Sequence, residues 1–274
     1  MKKETVDTLD KIAYELFNCT ACSFHKELQD KDLPYKPEAP LDYDQNSNDY
    51  KVLSVGINPG WPNKDKQYYS SLKEIYKLRD FNAYKSACIN WWQERKQYGR
   101  QPYRDQLYHS FCTINSLLNI YSGPIKREEI YNYVFWSNLS WCNSQNPTKR
   151  IFDGNTISCR VSEEETPECL KKEYLKRIIE AIEPELVIFF GFEALRFYYF
   201  SKIFGFNWES IDHYPKTQFV AHKRGSKDAY TTIVTAKLKT KKKKTSIIFL
   251  PHSCRWEKDN KEKALKEVCG WLKG

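Results

Sequence analysis

Four short stretches carry residue types whose spacing could do chemistry. "GINPG" (Gly56–Gly60) closes the run Val52, Leu53, Val55 and Ile57, which is short, apolar and β-branched, as a buried strand is. Gly56 and Gly60 let the backbone bend or approach something closely, and Pro59 keeps Asn58 out of the helical region. The segment reads either as a plain type II turn or as a loop shaped around a ligand. "NLSWC" follows a second strand-like run, Tyr133–Asn138, and sets the amide of Asn138 ahead of the thiol of Cys142. "PHSCRW" follows a third, Ser246–Leu250, and places His252 next to Ser253, Cys254, Arg255 and Trp256. Cys19 and Cys22 form a Cys-x-x-Cys pair in "FNCTACSFHK". Such a pair invites a metal, and a zinc site with His25 is an alternative, though poorly spaced for a finger.

These stretches need a scaffold, and the sequence describes one. An amphipathic helix from about Glu4 to Phe17 leads into the cysteine pair, and a polar, proline-bearing linker carries the chain to Val52. Residues 67–119 read as a mostly helical insertion rich in aromatic and basic side chains, as in "NWWQERKQYGRQPYRDQLYHSF". The clearest helix–strand–helix unit is "TPECLKKEYLKRIIEAIEPELVIFFGFEAL": Thr166-Pro167 starts a helix and Pro184 ends it. "LVIFF" is apolar on both faces, as strands of a parallel sheet are. Residues 213–244 form a basic, polar segment ending in "KLKTKKKKTS", and a terminal helix uses Ala264, Leu265, Val268 and Leu272. Strands separated by helices predict a parallel α/β sheet with helices on both faces, and ligands bind such sheets beyond the carboxyl ends of the strands. "GINPG", "NLSWC" and "PHSCRW" then fall along one edge.

Bulk properties narrow the partner. The chain has 274 residues, 41% hydrophobic and 15% aromatic, including 19 Tyr and 8 Trp, so rings are available both for a core and for stacking on flat ligands. The formal charge of +9 favours a polyanion such as nucleic acid. No apolar run approaches the ~18 residues of a membrane span, and the N-terminal stretch alternates charged and apolar residues unlike a signal peptide. An intracellular chain without a membrane partner is expected, so its nine cysteines should be reduced. Cys88, Cys112 and Cys269 lie in helical apolar patterns and are assigned to core packing.

Taken together, these residues resemble the uracil-DNA glycosylase superfamily. "GINPG" is the string found after the first core strand in the mismatch-specific branch, and "CTACSFHK" resembles the N-terminal "CTxCxLH" of the iron–sulfur branch. Asn138-x3-Cys142 has the spacing of that branch's "TNxxKC" strand end. The Thr166–Leu195 stretch is similar to the branch's next helix and strand, and "LPHSCR" to its second catalytic loop, usually His-Pro-Ser. The matches stand in the family's order and cover about half the chain. There are departures: Ser253 directly follows His252 where a proline is usual, Asn58 stands where the iron–sulfur branch has an acid, and residues 67–119 and 213–244 are extra. The chain mixes features of several branches, which bears on its substrate more than on its fold.

The resemblance implies a single domain over residues 1–274, with the helix, cysteine pair and linker in residues 1–50. Its fold would be a three-layer α/β/α sandwich around a central, mainly parallel four-stranded sheet, with helical and basic insertions. It implies a monofunctional DNA glycosylase acting on a flipped-out base. Asn58 would position the attacking water, and His252 would donate a hydrogen bond to the leaving base. Asn138 would read the base's Watson–Crick edge. Gly56, Ile57, Pro59 and Gly60 would shape the pocket and Tyr69 would stack on the base, with Trp61 and Tyr68 as other candidate rings. Gly60 stands where classical uracil enzymes keep a tyrosine against 5-substituted pyrimidines, which points to a modified or damaged pyrimidine, including a bulky modified cytosine of phage DNA. Ser253, Arg255 and Trp256 would contact DNA, Arg255 or Trp256 filling the gap left by the flipped base, and Lys223, Arg224 and the run 241–244 would meet phosphates, although that run also reads as a solvated loop. Cys19, Cys22, Cys142 and Cys169 would hold a structural [4Fe–4S] cluster, with Cys159 as the alternative fourth ligand, and the chemistry itself would need no cofactor. A cytoplasmic monomer working on DNA in a prokaryotic or phage-like setting follows from the same resemblance.

Overall fold

Runs that are apolar on both faces make the sheet, and runs with one apolar stripe make the helices around it. The computed structural model of the protein describes residues 1–19, 50–56, 74–75, 77–97, 102–138, 173–190, 212–224, 227–239, 244–251 and 256–274. The elements in chain order are α1 (Lys3–Phe17), β1 (Val52–Gly56), α2 (Phe81–Gln97), α3 (Pro102–Leu118), a 3₁₀ turn (Arg127–Asn132), β2 (Val134–Asn138), α4 (Tyr174–Ile182) and β3 (Leu186–Phe190). β4 (Asp212–His213), β5 (Gln218–Arg224), β6 (Lys227–Thr232), β7 (Val234–Lys239), β8 (Lys244–Leu250) and α5 (Lys258–Lys273) follow. The chain forms two compact units. One comprises Met1–Asp49, Gly56–Tyr98 and Trp136–Ala181, and the other Tyr50–Val55, Gly99–Phe135 and Ile182–Gly274.

The first unit is organised by α1. Its stripe of Leu9, Ile12, Ala13, Leu16 and Phe17 is buried, as the helical spacing predicts. Phe17 meets Phe81 and Tyr84 of α2 with ring centroids 5.6 and 4.9 Å apart. Lys85 of α2 pairs with Asp10 of α1. On α4, Arg177 grips Glu15 through two hydrogen bonds of 2.7 and 3.0 Å, and the Thr5 hydroxyl donates to the Ala181 carbonyl at 2.9 Å. The hydrogen bond to Glu15 in turn holds Arg177 above its ordinary pKa.

In the second unit the strands run in the order β2-β1-β3-β8-β7-β4, six among the described residues, beside a separate two-stranded sheet, β5-β6. β1, β3 and β8 are parallel, whereas β7 and β4 are antiparallel to their neighbours. Leu186, Val187, Ile188 and Phe189 are buried, as are Ile247, Ile248, Phe249 and Leu250, which matches strands covered on both faces. Burying each such side chain contributes about 1.5–3 kcal/mol. The Lys51 carbonyl accepts from the Glu185 and Leu186 amides at 2.7 and 3.1 Å, and Glu185 passes the ladder on to the Ser246 amide at 2.9 Å, which sets the parallel register. Tyr121 fastens the start of this sheet. Its hydroxyl accepts from the Lys51 amide and donates to the Tyr133 carbonyl, both at 2.7 Å.

The mainly parallel α/β sheet agrees with the sequence reading, but its strand count does not. The sheet has six strands among the described residues instead of four, because β7, within the basic segment 213–244, and β4, at its start, add two strands beyond β8, each antiparallel to its neighbour on the β8 side. Its lysines mask an alternation in which Val234, Ala236 and Leu238 are buried. Cys88 and Cys269 are core residues as expected, whereas Cys112 is only half-buried because it lies off the α3 stripe of Leu107, Phe111 and Ile114. Leu272 is likewise half-buried, while Ala264, Leu265 and Val268 carry the buried face of α5. Among the described residues no helix is long and apolar enough to cross a membrane.

Candidate functional site

The parallel register brings three strand ends into one row. Val55 of β1 lies opposite Phe189 of β3, and Phe189 lies opposite Phe249 of β8. The Phe189 and Phe249 rings stack at 4.3 Å and 6°, closing the core just beneath that edge. Phe190 and Leu250 form the next pair, and buried Pro251 follows. The chain therefore leaves β1 and β8 at the same carboxyl edge, where open α/β sheets bind ligands. "INPG" is the next sequence after β1, and "HSCR" the next after Pro251.

Several expected site residues lie outside the described residues: Ile57, Asn58, Pro59, Gly60 and Tyr69, then His252, Ser253 and Arg255, and the cysteines Cys22, Cys142 and Cys169 with the alternative Cys159. Others are placed. Gly56 is the last residue of β1 and half-buried. Asn138 closes β2. Cys19 lies just past the α1 C-cap, Asn18, its amide bonded to the Leu16 carbonyl at 3.0 Å and its side chain half-exposed. Trp256 is half-buried, its indole N–H shielded from solvent with no acceptor among the described residues. Lys223 and Arg224 close β5, opposite Asp228 and Lys227 of β6. Among the described residues no group of three or more His, Cys, Asp or Glu could hold a metal, and Cys19 is the single described member of the expected cluster set.

What the sequence reading missed is the β5–β6 hairpin and the way it is mounted. Tyr214 donates to Glu267 of α5 at 2.6 Å, and Lys216 bonds the other oxygen of the same carboxylate at 3.0 Å. The hydrogen bond with Glu267 pushes Tyr214 up to about 12, and the same bond, with help from Lys216, holds Glu267 below the usual carboxylate range. Further along β5 the register shifts between Val220 and His222, a bulge at Ala221. The carbonyl of Ala221 accepts from the Glu257 amide at 3.0 Å and from the Asn260 side chain at 3.4 Å. Phe219 and Ala221 are buried. The sequence does carry a signal for this hairpin: "QFVAHKR" and "KDAYTT" flank Gly225-Ser226, a two-residue separation that favours hairpins, but the density of Lys and Arg gives the segment the character of a solvated loop.

A shallow, open cleft of about 520 Å³ lies elsewhere on this unit, lined by Asp212, His213, Lys237, Trp271 and Gly274. Lys237 covers the Trp271 ring at 4.6 Å, a cation–π contact that packs the end of α5 against β7. Neither a family model nor a curated protein matches the chain.

Proposed function

We propose that the protein is a monofunctional DNA glycosylase that hydrolyses the N-glycosidic bond of a flipped-out modified or damaged pyrimidine and leaves an abasic site. The observation that carries this reading is the common row of β1, β3 and β8 ends, with "INPG" and "HSCR" next in the chain after β1 and Pro251. Both strings resemble the catalytic loops of the uracil-DNA glycosylase superfamily. On the same reading, helices cover both faces of the sheet in a three-layer arrangement.

In the reaction, water oxygen bonds to the anomeric carbon as the C–N bond breaks, and the bonding pair departs with the base. Asn58 positions that water; an amide is too weak a base to deprotonate it, so geometry does the work and the proton passes to solvent. His252 donates a hydrogen bond to the base oxygen on which charge builds. Asn138 pairs with the base edge, Tyr69 stacks on the ring, and Gly56, Ile57, Pro59 and Gly60 form the pocket floor. With Gly60 in place of a blocking ring, the pocket admits substituents at position 5, including those of modified phage cytosines, which fits a role in antiviral defence. Lysine is absent from these motifs, so no Schiff-base step cleaves the strand.

Cys19, Cys22, Cys142 and Cys169 would hold a [4Fe–4S] cluster that ties the N-terminal segment down and takes no part in base release. Cys19 suits this role, because its half-exposed thiol sits where α1 has just ended. Iron and acid-labile sulfide in anaerobically purified protein are the readout.

A second reading, a DNA-binding protein without catalysis, is favoured by Asn58 in place of an acid and by Ser253 in place of the usual proline. The deciding experiment incubates the protein with duplexes carrying uracil, oxidised pyrimidines, hydroxymethylcytosine or glucosylated hydroxymethylcytosine. Free base and alkali-labile sites from the modified cytosines would support the first reading. Release from uracil alone would make it an ordinary uracil-repair enzyme, and tight binding without release would favour the second reading.

A further inference from the structure

We propose that the β5–β6 hairpin is a β-ribbon that grips duplex DNA beside the carboxyl edge of the sheet; this rests on the reading that the protein acts on DNA and assigns that contact to a specific element. The argument begins with direction. β5 starts near Glu267, in the later part of α5, where Tyr214 and Lys216 are bonded. By Ala221 it has reached Glu257, the residue that precedes α5. β5 therefore runs opposite to α5, and its last residues, His222 to Arg224, continue past the helix start at about 3.3 Å per residue. The start of α5 is tied by the short segment 252–257 to Pro251 at the end of β8. The paired ends of the ribbon, Arg224 of β5 and Lys227 of β6, thus lie on the side of the unit where β1, β3 and β8 end.

Its chemistry suits a polyanion. Three cations, Lys223, Arg224 and Lys227, occupy the last two register pairs of the ribbon, with one carboxylate, Asp228. Lys227 and Asp228 are exposed, and Tyr230 is 63% exposed although it is a large ring on a short strand. One set of side chains, Phe219 and Ala221, is used to seat the ribbon, which leaves Tyr230 facing solvent opposite Val220. A two-stranded ribbon fits the width of the DNA major groove, and lysine and arginine at its paired ends neutralise phosphates. The bulge at Ala221 aims the ribbon, because its turned carbonyl takes the Glu257 amide.

The test measures fluorescence anisotropy of an unmodified fluorescein-labelled duplex with the full chain across 50–200 mM salt, and base release in parallel. The triple variant Lys223→Ala, Arg224→Ala, Lys227→Ala is expected to lower the slope of log affinity against log salt by about 3 and to weaken binding at least about tenfold. Tyr230→Ala is expected to cost about tenfold at every salt concentration with no change in slope. Lys266→Ala, an exposed lysine of α5, should bind as the parent does. Unchanged melting temperatures establish that the variants fold. Wild-type affinity and slope in the triple variant would overturn the proposal, and so would a parent protein that binds no duplex, or one that binds only single strands. If the triple variant still releases base at saturating enzyme, the ribbon is a grip separate from the chemistry. If the parent binds duplex through the ribbon but releases no base from any substrate, the glycosylase reading fails and the ribbon stands.

Discussion

Single atoms decide two things in this protein: how the sheet is fastened, and whether the carboxyl edge does chemistry. The Tyr121 hydroxyl both accepts from the Lys51 amide and donates to the Tyr133 carbonyl, and burial holds it neutral far above its ordinary pKa. Tyr121→Phe keeps the ring contact with Tyr133, at 5.0 Å, but strands both backbone groups. It should cost about 1–3 kcal/mol in a urea titration, whereas a surface change such as Lys266→Ala should cost almost nothing. For the chemistry, Asn58→Ala and His252→Ala are each expected to slow base release by at least about a hundredfold while duplex affinity stays within a factor of two, measured by single-turnover kinetics and anisotropy. Loss of affinity in step with rate would mean that these side chains hold DNA and do not act on the bond.

At the scale of elements, the hairpin depends on α5. Glu267 collects Tyr214 and Lys216 near the base of β5, while the Glu257 amide and Asn260 hold the bulge. Glu267→Ala should therefore speed amide exchange in residues 214–224 and leave β3 and β8 protected, as read by hydrogen-exchange mass spectrometry. The same contact is pH-dependent. Because Glu267 titrates below its ordinary range in the folded protein, its contribution is complete above that range and is lost as pH falls through the lowered value. Exchange in the hairpin should accelerate in acid before the sheet responds, and Glu267→Gln should abolish that acid step. An acid response identical in the variant would mean that another group controls the ribbon.

For the whole molecule, Cys269 is one of the groups that tie stability to alkaline pH, beside Cys112 and Tyr121, whose pKa values burial also raises. Burial pushes this α5 thiol from 9.0 up to about 12. A thiol raised in this way supports folding fully below 9.0, and that support is lost as pH rises from 9.0 towards about 12, because the unfolded chain gives up its proton first. Urea midpoints should fall between pH 8.5 and 10.5 in the parent, and Cys269→Ala should flatten that fall even though it lowers the midpoint at pH 8 by creating a small cavity. A parallel fall in both proteins would assign the alkaline loss to other groups. The formal charge of +9 belongs to the same scale: on the proposed DNA-binding reading, its field acts on a polyanion over distances longer than any one contact.

The sequence alone was sufficient where one local pattern leads to one structure. Leu186–Phe190 and Ile247–Leu250 have no polar face, so they could only be central strands, and the 3.6-residue stripe from Leu9 to Phe17 could only be a helix with a buried side. The sequence also marked the carboxyl ends of β1 and β8 as the places to look, since Asn-Pro-Gly and Pro-His-Ser interrupt apolar strands abruptly. It did not reveal the strands β4, β5, β6 and β7, because core positions such as Val234, Ala236 and Leu238 are interleaved with lysines and threonines that read as solvated loop. Nor could it pair Ala221 with Glu257 or Tyr214 with Glu267. Those contacts join residues 36 and 53 positions apart, and sequence distance carries no information about which surface carboxylate a tyrosine will find. Local periodicity determined which elements form; only tertiary packing decided that the basic segment extends the sheet and seats a charged ribbon on α5.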